Sequence, residues 1–174
     1  HDYVIGEARL SAYERELGEV ESPRTIKGHE LVGKKYAPMF SYFSDTENAF
    51  QVIGAEFVSA EDGTGIVHLA PGFGEDDQTT CQTANIPTIC PMDEHGRYTA
   101  EVTDWSGRHV FEANTDVIKH LKEAGVVVRH DTYNHSYPHC WRCAEPLVYR
   151  AMSSWFVKVT AIKDRMLELN QEIT

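Results

Sequence analysis

Basic residues are scarce in this sequence. Sixteen Lys and Arg stand against 27 Asp and Glu, for a net charge of −11 over 174 residues. That balance excludes a broad phosphate-binding surface, so any nucleic-acid contact has to be local or shared with something outside this chain. Cysteine is also sparse. Cys81, Cys90, Cys140 and Cys143 are too few for a disulfide scaffold at this length, and a reducing, cytoplasmic setting is expected. No apolar run approaches the ~20 residues that cross a bilayer, and the polar start His1-Asp2-Tyr3 does not resemble a signal peptide, so no membrane partner is expected. Proline and glycine, at 7 and 12, are too few for a low-complexity or collagen-like chain, and with 41% hydrophobic residues disorder is excluded as well. At ~150 residues per domain, the length allows one good-sized domain and the start of a second.

Along the chain, residues 3–6 read as a strand and Arg9 to Leu17 as a short helix closed by Gly18. Pro23, Gly28, Gly33 and Pro38 then punctuate short apolar pieces suited to turns and brief strands. Two β-like runs, Ala49 to Ser59 and Thr64 to Ala70, flank Asp62-Gly63, which predicts a hairpin. Pro71 ends the second run, and Gly72-Phe73-Gly74 forms an elbow. Glu75-Asp76-Asp77 suit the positive first turn of a helix running to about Ala84. Asn114 is the expected cap of a further helix that Gly125 stops before a Val126-Val127-Val128 strand, and a last helix is expected from about Thr160. Aromatics, a Cys-x-x-Cys and two prolines crowd into 135–155, which places a domain boundary near residue 135.

Three groups of residues could carry chemistry. In a period-two strand Thr64, Ile66, His68 and Ala70 share one face, which sets His68 among small neighbours beside the acidic helix start. The plainer reading is a hydrogen-bonded strand histidine next to ordinary N-terminal helix acids. The glycines around Phe73 do not make a phosphate cradle, because the third glycine of the dinucleotide fingerprint and a Gly-Lys-Ser/Thr ending are lacking and the acids would repel phosphate. Cys140-Trp141-Arg142-Cys143 has zinc-knuckle spacing but supplies two of the four ligands of a structural site. A redox role would need a βαβ setting that the sequence does not offer.

The segments 63–77 (Gly-Thr-Gly-Ile-Val-His-Leu-Ala-Pro-Gly-Phe-Gly-Glu-Asp-Asp), His135-Ser-Tyr-Pro-His-Cys-Trp-Arg-Cys143 and Arg150-Ala-Met-Ser-Ser-Trp-Phe-Val157 together resemble the editing insertion of isoleucyl-tRNA synthetases. Glu30-Leu-Val-Gly-Lys-Lys-Tyr36, Pro38 and Phe40 add weaker support, in the family's order. Valyl and leucyl relatives share the Gly-Thr-Gly start but continue with a Pro-Ala-His-Asp type of loop. The resemblance implies an α+β fold: a β-barrel-like editing domain with peripheral helices over 1–135, then a return segment over 136–174 made of the Cys-x-x-Cys knuckle and a C-terminal helix.

For function, it implies hydrolysis of valyl-tRNA charged on the isoleucine tRNA, and of valyl adenylate. An isoleucine pocket cannot exclude a side chain smaller by one methylene, which is worth only ~1–3 kcal/mol, and a second, smaller pocket is the known answer to this pair. Asp77 falls on the family's aspartate that holds the substrate α-ammonium, a role that local sequence alone could not assign to it over Asp76. His68 falls on the pocket histidine, as a wall limiting side-chain size or as a general base. Thr64, Ile66, Gly72, Phe73, Gly74 and Asp76 are expected around the same substrate. A positioned water and backbone donors suffice for an activated ester, so no cofactor is expected for editing.

Zinc is implied only in the intact enzyme, where the knuckle would pair with a second Cys-x-x-Cys. The family's threonine-rich pocket segment has no match between His1 and Glu21. The His-x-Gly-His and Lys-Met-Ser-Lys-Ser signatures are absent, which leaves ATP to a catalytic domain elsewhere. The expected partners are valine-charged isoleucine tRNA and the rest of the synthetase, with the fragment itself monomeric. Two rivals are a binding-only tRNA or amino-acid module and a zinc-knuckle structural module.

Overall fold

The computed structural model describes residues 2–20 and 22–173; the outer bounds of the two expected domains, His1 and Thr174, lie outside them. Among the described residues four α-helices order the chain: α1 (Glu14–Leu17), α2 (Glu75–Thr83), α3 (Val110–Glu123) and α4 (Lys163–Asn170). A 3-10 turn, Glu7–Tyr13, leads into α1, and another, Val159–Ala161, precedes α4. None of these helices is long and apolar enough to cross a membrane.

The expected β-barrel-like α+β architecture is not what forms. Among the described residues there is no strand, and pairing is confined to isolated antiparallel bridges, Lys35 with Gln51, Met92 with Tyr98, Arg97 with His109 and His139 with Pro146. The hairpin predicted at Asp62-Gly63 is absent for a local reason. Gly63 and Gly65 both take left-handed backbone angles, φ +53° and +76°, and the Gly65 N–H closes back on the Asp62 carbonyl at 3.1 Å. Two left-handed residues with Thr64 between them send 66–70 away from 49–59 instead of alongside it. Thr64 meets Gly6, whose N–H donates to the Thr64 carbonyl at 2.7 Å, and 50–52 pair with 33–36 through Val52 N–H to Lys34 (2.9 Å) and Tyr36 N–H to Phe50 (2.9 Å). Residues 3–6 and 126–128, also expected as strands, are likewise irregular.

The helix ends follow local chemistry closely. Gly125 adopts φ +69°, its N–H donates to Lys122, and the Val126 N–H donates to Leu121, a Schellman closure of α3. Asn85 does the same for α2 at φ +56°, with the Ile86 N–H on the Cys81 carbonyl at 2.8 Å. The start of α3 departs from expectation. Its cap is His109, whose ring accepts the Phe111 N–H at 3.3 Å, so the helix begins four residues before Asn114, which is an interior residue.

The core is small and aromatic. Val102, Trp105 and Ala113 are buried, and Phe40, Tyr42, Phe43, Tyr98 and Val117 pack around them. Phe40 meets Trp105 edge-on at 5.5 Å and stacks on Tyr42 at 5.7 Å, while the Tyr42 hydroxyl donates to Asp104. Burial and the adjacent Asp104 carboxylate raise the Tyr42 phenol above its ordinary value. The accessible surface is 14317 Å², against about 8,600 Å² for a compact monomer of this mass. The apolar face of α4 accounts for part of the excess, with Ile162, Met166 and Leu169 all exposed.

Candidate functional site

The segment 70–77 folds into a tight elbow. The Phe73 N–H donates to the Ala70 carbonyl at 2.9 Å, making a turn across Pro71-Gly72, and Gly74 in extended conformation (φ −137°, ψ 138°) caps α2. Three acids fill the first turn of that helix, where the macrodipole favours negative charge. They are not equivalent. Glu75 and Asp76 are exposed, whereas Asp77 is half-buried and turned back over the elbow. Its Oδ2 accepts the Ala70 N–H at 2.9 Å. A Cβ at Gly74 would lie 3.0 Å from the Asp77 carboxyl carbon, so glycine there allows this approach. Asp77 keeps its second oxygen for a further donor. One helical turn on, burial and then the Asp77 charge push the Cys81 thiol up from its ordinary value.

Gly72 is buried because a backbone crosses it. A Cβ there would sit 2.4 Å from the Ile89 carbonyl oxygen and 3.2 Å from Cys90 Cα. From the other side the Ala151 N–H donates to the Gly72 carbonyl at 2.8 Å, and Arg150 Nε donates to the Met92 carbonyl at 3.2 Å. Ala151, expected only as part of a returning segment, thus braces the elbow, while Arg150 ties the same segment to Met92. The Arg150-Ala-Met run carried no hint of that contact, which joins residues nearly eighty positions apart.

The structure therefore brings Gly72, Phe73, Gly74 and Asp77 together, with Asp76 at their edge. It does not gather the strand residues with them by the expected period-two register, because 66–70 is not a strand. Thr64 is half-buried and spent locally, its hydroxyl donating to the Ile66 carbonyl at 3.0 Å. Ile66 and His68 are exposed. A shallow depression of about 660 Å³ lies elsewhere on α2, lined by Ile53, Phe57, Thr79, Thr80 and Thr83, and includes none of the expected site residues.

The Cys-x-x-Cys forms a knuckle. The Cys140 N–H donates to Glu145 and the Ala144 N–H returns to Cys140, both at 2.8 Å, with Ala144 at φ +60°. Tyr137 pins the turn through its hydroxyl to the Leu147 carbonyl at 2.7 Å. Backbone N–H groups of Cys143 and Arg142, then the Cys143 thiol, hold the Cys140 thiol below its ordinary value, as suits a thiolate ligand. Among the described residues no third Cys, His, Asp or Glu joins this pair in a set able to hold a metal. Cys81 is buried, and Cys90 directs its thiol to the Met92 carbonyl at 3.7 Å. The chain alone is accordingly expected to hold zinc weakly or not at all, since two thiolates leave half of a tetrahedral set to water. Metal analysis of protein purified without chelator reads this directly. One zinc per chain surviving gel filtration would require His135, His139, Cys81 or Cys90 as further ligands.

No family model matches the chain. Curated relatives do. Isoleucine–tRNA ligase of Mycobacterium tuberculosis is 51% identical over 181 aligned residues, covering 99% of this chain and 17% of the relative. The Corynebacterium diphtheriae enzyme is 55% identical over 171 residues, and that of Rickettsia felis 49% over 173, each covering 98% of this chain and 16% of the relative. Similarity of this extent places the chain among the aminoacyl-tRNA synthetases. It is part of an isoleucyl-tRNA synthetase. The chain spans about one sixth of the length of the curated relatives it matches.

Proposed function

We propose that this part of the synthetase is its editing segment, which hydrolyses valine from the isoleucine tRNA and from valyl adenylate. The observation that carries the reading is the elbow at 70–77, where one carboxylate of three is drawn inward and spends one oxygen on the Ala70 N–H of the half-buried loop. Asp77 holds the ammonium that both substrates present, a charge-assisted pairing that anchors the aminoacyl group whatever its side chain. Gly72, Phe73 and Gly74 line the substrate, and backbone donors with a bound water supply the hydrolysis of an already activated ester. His68, exposed in this chain, is the residue that refuses isoleucine once substrate and parts of the enzyme beyond this chain close over it, with Thr64 and Ile66 beside it in the sequence. The charged tRNA and the remainder of the synthetase are the partners, and ATP chemistry lies in that remainder.

The role of His68 fixes the sign of one measurement. In the full-length enzyme, His68→Ala widens a sieve and is expected to raise hydrolysis of correctly charged isoleucyl-tRNA, read as the first-order loss of labelled isoleucine. Loss of both valyl and isoleucyl hydrolysis would instead make His68 the general base. Unchanged rates for both esters would reduce it to a surface histidine.

A further inference from the structure

Gly72 is held between two backbones, and one arginine ties those backbones to each other. The first is 89–92. Ile89 and Cys90 lie directly against Gly72, and two residues further on Met92 is 3% exposed and bridged to Tyr98. The Thr99 N–H donates to the Pro91 carbonyl at 3.2 Å, and Tyr98 packs on the aromatic core, so 89–92 is a shelf fixed to the body of the fold. The second backbone is 150–151, whose Ala151 N–H reaches the Gly72 carbonyl at 2.8 Å. Arg150, the preceding residue, reaches the shelf itself, with its Nε donating to the Met92 carbonyl at 3.2 Å. Two adjacent residues thus grip the elbow and its support.

The side chain carries the weight of this arrangement. Arg150 and Ala151 are half-buried, whereas 152–173 is exposed throughout, so this is where the C-terminal stretch leaves the body. One backbone hydrogen bond holds such a stretch poorly against its own entropy, and the Arg150 side chain supplies a second point of attachment. Among the described residues the guanidinium meets no carboxylate, so what Arg150 contributes here is a donor to the shelf and not an ion pair. The elbow in turn sets Asp77, because Gly72 lies inside the turn that the Phe73 N–H closes on Ala70, and the Ala70 N–H is the donor to Asp77. We infer that Arg150 is a positioning residue for the elbow, holding 150–151 through Met92 and, through Ala151 and Gly72, fixing the direction in which Asp77 faces. Its consequence for hydrolysis rests on the proposed editing function; the linkage itself does not.

The test uses the full-length synthetase. Glutamine carries its side-chain nitrogen the same number of bonds from the backbone as the Nε of arginine, so Arg150→Gln keeps the donor and removes the charge. Arg150→Ala is expected to lower kcat for valyl-tRNA hydrolysis by about ten- to a hundredfold with KM within about twofold, because a misplaced reacting group costs rate while most of the tRNA is bound elsewhere. Arg150→Gln should recover kcat to within about threefold of the parent, and isoleucine aminoacylation should stay near the parent rate in both. Amide exchange across 70–73, read by mass spectrometry, should quicken about tenfold in Arg150→Ala and return in Arg150→Gln. Either readout unchanged in Arg150→Ala overturns the positioning role. Equal loss in the alanine and glutamine variants would show the charge acting directly on substrate, and loss of aminoacylation alongside hydrolysis would show a general structural role; each overturns it as well. A parent enzyme inert towards valyl-tRNA would fail the editing assignment instead, and the exchange readout would still decide whether Arg150 holds the elbow.

Discussion

Asp77→Ala in the full-length synthetase is expected to lower hydrolysis of valyl-tRNA by roughly 10²–10³-fold, while aminoacylation with isoleucine stays near the parent rate. The magnitude follows from leaving an ammonium without its carboxylate in a partly dry site, ~3–5 kcal/mol when one partner of such a pair is removed. Because Asp77 also accepts the Ala70 N–H, loss of activity in the alanine variant alone could reflect a loosened elbow. Asp77→Asn separates the two effects. Its amide oxygen can still accept from Ala70, so the loop keeps its anchor, but the charge is gone and hydrolysis should fall about as far as in Asp77→Ala. Full activity in the asparagine variant would show that Asp77 serves the loop and not the substrate. Asp76→Ala, on the exposed side of the same turn, is expected to change the rate by only a few-fold.

Gly72→Ala should be the most disruptive of the small substitutions. Its new methyl would come within 2.4 Å of a main-chain oxygen that no rotamer change can move, so the 70–74 turn or the 89–90 segment must shift. A destabilisation of ~1–3 kcal/mol is expected from such overpacking, read as a lower Tm in a thermal melt. Since the Gly72 carbonyl also receives the Ala151 N–H, the returning segment should loosen with it, and amide exchange at Ala151 should quicken. Gly54→Ala is the control, because its Cβ would meet open space and its φ is not left-handed. A melt of Gly72→Ala that matches the Gly54→Ala control would mean that the crossing of 72 over 89–90 is not maintained in solution.

These two residues also show which kinds of information were local. The acids at 75–77, the glycines before them and the stops at Ala84 and Gly125 could be read from the chain because a helix end is decided within a few residues, by a dipole and by a backbone angle that glycine or asparagine adopts cheaply. The turn at 140–143 was legible on the same ground. The choice of Asp77 over Asp76 was not. Adjacent residues in one helical turn differ only in which way the turn faces, and that depends on the elbow lying against Ile89 and Ala151.

The β-like runs mark the other limit. Their alternation says that a segment suits extended backbone, but strands exist only when a partner offers its N–H and C=O groups in register, and period two cannot name that partner. At Asp62-Gly63 the usual hairpin signal was overridden by a second left-handed glycine two residues later, so 50–52 paired with 33–36 and Thr64 with Gly6. Composition, charge, the C-terminal ends of α2 and α3 and the turn at 140–143 were thus determined by the amino-acid sequence itself. The tertiary structure alone decided the absence of a sheet among the described residues, the inward turn of Asp77 and the bracing of the elbow by Ala151, because each depends on groups brought together from distant parts of the chain.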